Sequence, residues 1–215
     1  MIYFISIVSA VIGSLLYVIC INDWKKTMLN ESEGWSAKKK IPLHIIIMVM
    51  SFLFSSLFHE YGYGPVKSIK YCCLIWGLIP IALRDWKTKI IPNKWLIYLM
   101  AIRLFLFCVE WILYPDAILD NLVFMFMGAF VSGGVMFLAY VISRHEIGMG
   151  DIKLFIVTGM YLGLGLNYVV LLMSLIVSVM YSGIKILKKD LKTKDSIPFA
   201  PFVLVGTIVA LGLGF

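Results

Sequence analysis

A succession of apolar runs, each near the length that spans a bilayer, constrains this chain more than any other feature. They fall at about 2–21, 42–58, 67–84, 93–112, 121–143, 151–166, 168–187 and 197–215. Hydrocarbon offers no partner to a backbone N–H or C=O, so a spanning segment must satisfy its own, as a helix does. A water-soluble domain of 215 residues could not cover a composition that is 61% hydrophobic and 14% charged. The expectation is an all-α polytopic membrane protein of about eight transmembrane helices.

Orientation follows from the cations. Lys25, Lys26, Lys38, Lys39 and Lys40 lie between the first two runs, and Arg84, Lys87, Lys89 and Lys94 between the third and fourth. Arg144 and Lys153 flank the next alternate loop, and Lys185, Lys188, Lys189, Lys192 and Lys194 the last. Sixteen of the 19 Lys and Arg thus fall on one side, which the positive-inside rule makes cytoplasmic, with both termini outside. The basic excess is read as orientation charge, with no nucleic-acid partner, and 185–194 as a patch for lipid headgroups. Cys20, Cys72, Cys73 and Cys108 sit in apolar runs without a CxxC pair, so neither a disulfide framework nor a zinc site is indicated. The first run has no basic n-region before it and reads as a retained helix.

The sixth run is short. Ile152–Leu166 spans roughly 22 Å as a helix, against a hydrocarbon core of roughly 30 Å. Either the bilayer thins or the helix starts below the cytoplasmic surface. It is preceded by Gly148-Met149-Gly150-Asp151-Ile152-Lys153, a carboxylate directly after two glycines. An ionisable group at the boundary of an apolar segment marks a functional site by default, and glycines allow tight turns and close approach. A second carboxylate, Asp85, ends the third run on the same expected side. The 66 residues separating it from Asp151 suit two crossings and their turns. Two adjacent carboxylates share a proton, because both cannot ionise cheaply. Such a pair hydrolyses a peptide bond without a covalent intermediate, metal or cofactor. Lys153 either tunes the titration or marks the lipid interface, and the interface is the preferred reading.

The Gly148–Leu154 stretch resembles the GxGD signature of type IV prepilin peptidases, which are membrane aspartic proteases. Asp85 with the following Ile91-Pro92-Asn93 is similar to that family's first catalytic Asp and the motif after it. Ile197-Pro198-Phe199-Ala200-Pro201-Phe202 is similar to its proline-containing entry to the last helix. The resemblance covers 67–215, a six-helix catalytic membrane domain, and leaves 1–66 as a two-helix membrane segment with a short cytoplasmic loop. It implies a GxGD aspartyl protease architecture, with Asp85 and Asp151 catalytic and Gly148, Gly150 and Lys153 in the active-site loop. The implied substrates are prepilins or pseudopilins, each with a basic leader before an N-terminal hydrophobic helix. Cleavage would fall at the cytoplasmic face of the bacterial inner membrane. Presenilin-type proteases share GxGD, but their first Asp usually follows Tyr, whereas Arg84 precedes Asp85. Full-length members carry two CxxC pairs between helices one and two, associated with N-methylation. That loop here has no cysteine, so methylation is not expected.

Two other function classes compete: a small transporter with Asp85 and Asp151 as proton or ion sites, and a non-enzymatic assembly subunit. No internal repeat supports the first, and the second gives no reason for paired carboxylates. His44 reads as packed, and His59-Glu60 lacks HExxH spacing. His145-Glu146 adjoins the glycine turn and reads as solvated loop ahead of a part in substrate binding. Arg103 and Glu110, at i and i+7, share a helix face and read as members of structural pairs, made directly or with partners on other helices. Gly128, Ala129, Ser132, Gly133 and Gly134, with Gly159 and Gly163, read as small residues for close helix packing.

Overall fold

The computed structural model describes residues 7, 8, 11–13, 15, 40–144, 147–187 and 197–214. Most of the first expected helix lies outside the described residues, as do the 22–39 loop and the side chain of His44. So do His145, Glu146, Lys188, Lys189, Lys192 and Lys194. Every regular element among the described residues is helical: α1 (Lys40–Glu60), α2 (Pro65–Thr88), α3 (Asn93–Leu113), a 3-10 turn at Pro115–Ala117, α4 (Ile118–Ile142), α5 (Met149–Leu187) and α6 (Ala200–Gly212). Among the described residues, four segments are long and apolar enough to cross a membrane: Pro65–Thr88, Asn93–Leu113, Pro115–Ile142 and Met149–Leu187. This is a multi-pass helical membrane protein.

The chain divides into two compact units, 1–80 and 81–215, and the division falls inside α2 at Pro80. In the first unit α1 ends in a left-handed glycine cap. Gly62 has φ 70; its N–H donates to His59 O, and the Tyr63 N–H reaches back to Phe58 O, both at 3.0 Å. This pairing satisfies carbonyls that the end of a helix would otherwise orphan. His59 and Glu60 sit exposed in that last turn. Tyr71 packs edge to face on both Phe58 and Tyr63 beyond the cap, and the Lys67 ammonium lies 4.5 Å from the Tyr63 ring centre.

In the second unit the decisive element is α5. As a single rod its 39 residues would measure roughly 58 Å, far more than a hydrocarbon core of roughly 30 Å. It is not a rod. Gly163 breaks it with φ 70 and ψ −175. Asn167 Nδ2 then donates to Phe155 O at 3.4 Å, twelve residues back. On a straight helix those residues would be roughly 18 Å apart, so the chain reverses at Gly163. The sequence placed the two legs at 151–166 and 168–187, and the reversal lies four residues earlier. The turn requires a positive φ, which glycine adopts freely, and the Phe124 ring fills the space where a Cβ would stand. The first leg, 149–162, is therefore only about 21 Å long.

Neighbouring helices hold that leg by backbone contact and by polar ties. A Cβ on Gly128 of α4 would collide with Gly159 O, and one on Gly159 with Gly128 O. The small residues thus let two backbones touch. Asn167 also donates to Ser132 Oγ of α4 at 2.6 Å. From α3, Asn93 Oδ1 accepts from Lys153 Nζ at 3.1 Å, Leu99 O from the Tyr161 hydroxyl at 2.7 Å, and Arg103 Nε donates to Met160 O at 2.9 Å. The contacts climb both helices from the same end, so α3 and the first leg run parallel. Arg103 also meets Glu110 at 3.1 Å, the direct one of the two pairings their spacing allowed.

Candidate active site

Asp85 lies within the last turn of α2. The third apolar run ended at 84 in the sequence, but the helix continues to Thr88, whose hydroxyl donates to Arg84 O at 2.9 Å. Lys89, at φ 54, then ends it, with its N–H on Asp85 O at 2.8 Å. The Asp85 side chain is buried. Its Oδ2 accepts the Ala200 N–H at 2.9 Å, and the Phe199 N–H is directed at the same carboxylate.

Those two donors are free for a reason written in the local sequence. Pro198 and Pro201 have no N–H, and the N–H groups of Phe202 and Val203 both turn back to Phe199 O, at 3.0 and 3.2 Å. Phe199 occupies the N-cap position without a side-chain cap. The first-turn donors of a helix need an acceptor from somewhere. Asp85, 115 residues upstream, supplies it and becomes the cap of α6. The prolines also explain why α6 starts at Ala200, later than the 197 expected from hydropathy. Phe199 is pinned against Phe155 of the first leg, ring centres 6.0 Å apart.

Asp151 is the third residue of α5. Its N–H donates to Gly148 O at 3.0 Å, and its carboxylate folds back onto the Gly148 N–H. The carboxylate supplies one half of a capping box, with the Gly148 main-chain carbonyl standing where a side-chain acceptor would be. A Cβ on Gly148 would stand 3.2 Å from Asp151 Oδ2. One on Gly150 would stand 3.0 Å from the Cβ of Ile91, so the glycine turn rests directly on the segment that follows Asp85. Asp85 and Asp151 are close enough for their charges to repel.

Either carboxylate alone is a competent helix cap, a job that Ser, Asn or Thr performs without charge. Two acids at adjoining helix starts add a repulsion that capping does not need, and a shared proton relieves it. Lys153 is exposed and bonded to Asn93 of α3, so its hydrogen bond goes to a neighbouring helix and not to either acid. Arg103 and Glu110 lie further along α3, at the far end of the first leg. The hydrogen bonds to Asp85 from the last helix are the feature that sequence reasoning missed. Their trace was present in the two prolines, which leave only Phe199 and Ala200 with uncommitted donors.

A family model described as the type IV leader peptidase family matches residues 72–183, a stretch that holds both Asp85 and Asp151. The chain belongs to the type IV leader peptidase family. One relative of this family is a prepilin leader peptidase/N-methyltransferase of Bacillus subtilis (strain 168), 32% identical over 135 residues. The match covers 62% of this chain and 51% of that relative, so the chain spans about half the relative's length. No solved structure matches. Within this member of the leader peptidase family the matched region begins in α2 and ends in the second leg of α5, leaving α6 and its two donors outside it.

Proposed function

We propose that this chain is an aspartic endopeptidase of the bacterial inner membrane that removes the basic leader from type IV prepilins or pilin-like precursors, with Asp85 and Asp151 as its catalytic pair. The proximity of two carboxylates at the starts of two helices, inside a chain of the leader peptidase family, carries this reading. One proton is held between the two acids. The ionised carboxylate takes a proton from a water molecule as its oxygen attacks the scissile carbonyl carbon. The protonated partner gives its proton to the carbonyl oxygen. Collapse of the tetrahedral intermediate breaks the C–N bond and returns a proton to the leaving amine. The titration belongs to the pair, so the two roles are exchangeable. Gly148 and Gly150 form the active-site turn, Lys153 ties it to α3, and 67–215 is the catalytic membrane segment. Co-expression with a candidate prepilin tests the activity: loss of the leader supports it, and an intact precursor refutes it.

Both acids act from the cytoplasmic side in this proposal, with both termini outside. Reporter fusions at Ser36, Lys89 and Lys192 read cytoplasmic, and fusions at Gly62 and Asp116 read external. Opposite readings at Lys89 and Lys192 would separate the two acids and end the proposal. The product carries a free, unmethylated N-terminus when this protein acts alone, because the 22–41 loop lacks both CxxC pairs. Intact-mass measurement in a host without another such enzyme checks it, and a gain of one methyl group would refute it.

A further inference from the structure

Arg103 is fully buried in α3, whose stretch from Trp95 to Leu113 is apolar but for Arg103 and Glu110. Placing a guanidinium at membrane depth is expensive, and such residues persist where they do a job. Its partner Glu110, at 3.1 Å, accounts for the charge but not for its position. The Nε–H points away from Glu110, to Met160 O at 2.9 Å. Met160 lies at the C-terminal end of the first leg of α5, three residues before the Gly163 break. The reversal disrupts regular helical pairing there and leaves late carbonyls needing donors. A cation suits that end, where the helix dipole is negative. Asp151 begins this leg and Arg103 closes it. Tyr161, beside Met160, adds its hydroxyl bond to Leu99 O, so both fastenings come from α3.

We infer that Arg103 is a positioning residue: by capping the first leg at Met160 it fixes the axial placement of that leg, and with it the placement of Asp151 opposite Asp85. The inference rests on the catalytic reading above for its consequence in turnover, but not for its consequence in structure. A leg of about 21 Å ending in a glycine turn has no loop to absorb a shift. Releasing the far end moves the near end. Misplacement of a reacting group by about 1 Å costs up to roughly a hundredfold in rate. Lysine is a poor substitute, since a single ammonium cannot reproduce the fork that bonds a carbonyl and a carboxylate in two directions.

The test uses the full chain in lipid nanodiscs and two readouts. The first is kcat and KM on a prepilin. The second is formation of a disulfide between Ile91→Cys and Gly150→Cys, with the native cysteines replaced; the two positions adjoin across the turn. The variant is the double change Arg103→Met with Glu110→Leu, which removes both charges so that neither is left buried alone. The expected result is kcat lower by at least about tenfold with KM within about twofold, together with slower crosslinking. Parent values for kcat and crosslinking overturn the inference. So does poor accumulation in which the surviving protein crosslinks at the parent rate, since that is a purely structural role. Should the double variant not accumulate at all, Arg103→Lys is read by the same two measurements: a lower kcat with slower crosslinking supports the inference, and parent values overturn it. If the chain with native Ile91, Gly150 and Arg103 cleaves no prepilin while its cysteine-bearing form crosslinks, the catalytic proposal fails, and the crosslinking comparison alone decides the role of Arg103.

Discussion

Asp85→Asn and Asp151→Asn each abolish leader removal, by at least about a thousandfold, while the protein still inserts and accumulates. Asparagine keeps the size of the side chain and its oxygen acceptor, so it can still receive the Ala200 N–H at position 85 or the Gly148 N–H at position 151. It cannot take a proton from water or hold the shared one. Folding and chemistry are therefore separated by one substitution at each site. The double variant is no slower than either single one, because a pair that works as a unit is already lost with its first member. Asp23→Asn, Asp116→Asn and Glu146→Gln retain most activity. The parent rate falls at both pH extremes, since full protonation removes the base and full ionisation removes the acid. Cleavage assays on purified protein, with yield and thermal unfolding measured alongside, check all of this. Near-parent processing by either Asp→Asn variant removes the catalytic assignment and moves a transport or assembly role ahead.

Gly150→Val is the second large effect. A Cβ at this position stands 3.0 Å from the Ile91 Cβ, tighter than an ordinary carbon–carbon contact, and valine adds two methyl groups beyond it. Neither neighbour yields easily. Ile91 is fixed by Pro92 and the start of α3, and Gly150 by the first turn of α5. The turn has to lift from the 89–92 segment, carrying Asp151 away from Asp85. The expected loss is roughly tenfold to a hundredfold in kcat, with smaller effects on KM and thermal stability. Adding Ile91→Gly to Gly150→Val removes the Cβ that it strikes and restores part of the rate. If the pair is as slow as Gly150→Val alone, the contact with Ile91 is not the cause.

Much of this arrangement was legible from the residues, for physical reasons that differ by element. Apolar runs bounded by lysines are long-range signals, and α2, α3 and α4 lie close to their expected spans. The carboxylates were legible because charge in an apolar chain is rare enough to stand out. Their proximity followed from counting crossings. The reversal in α5 was misplaced because hydropathy carries no trace of it: the residues on both sides of Gly163 are equally apolar, and the ring packed where its Cβ would stand, Phe124, belongs to another helix. Spacing left Arg103 and Glu110 to pair with each other or with other helices, and they meet directly. The second bond of Arg103, to a main-chain carbonyl, has no side-chain signature at position 160. The capping of α6 by Asp85 was hidden for the same reason, since its donors are backbone groups and only Pro198 and Pro201 hint that they are unspent.

That cap has a consequence for the order in which the protein is made. Phe199 gives α6 no side-chain acceptor of its own, so the helix start depends on a residue synthesised 115 positions earlier. The dependence runs both ways. While the ribosome is still adding α4 and α5, the Asp85 carboxylate has been made but its donors have not. Only when Phe199 and Ala200 emerge does it receive its two N–H groups. A nascent chain halted before Phe199 therefore lacks more than a thirteen-residue helix: it leaves a buried acid without the hydrogen bonds that settle it. Maturation of this site is tied to translation of its last helix, and a ribosome-stalling series across 195–205 would register it as a step.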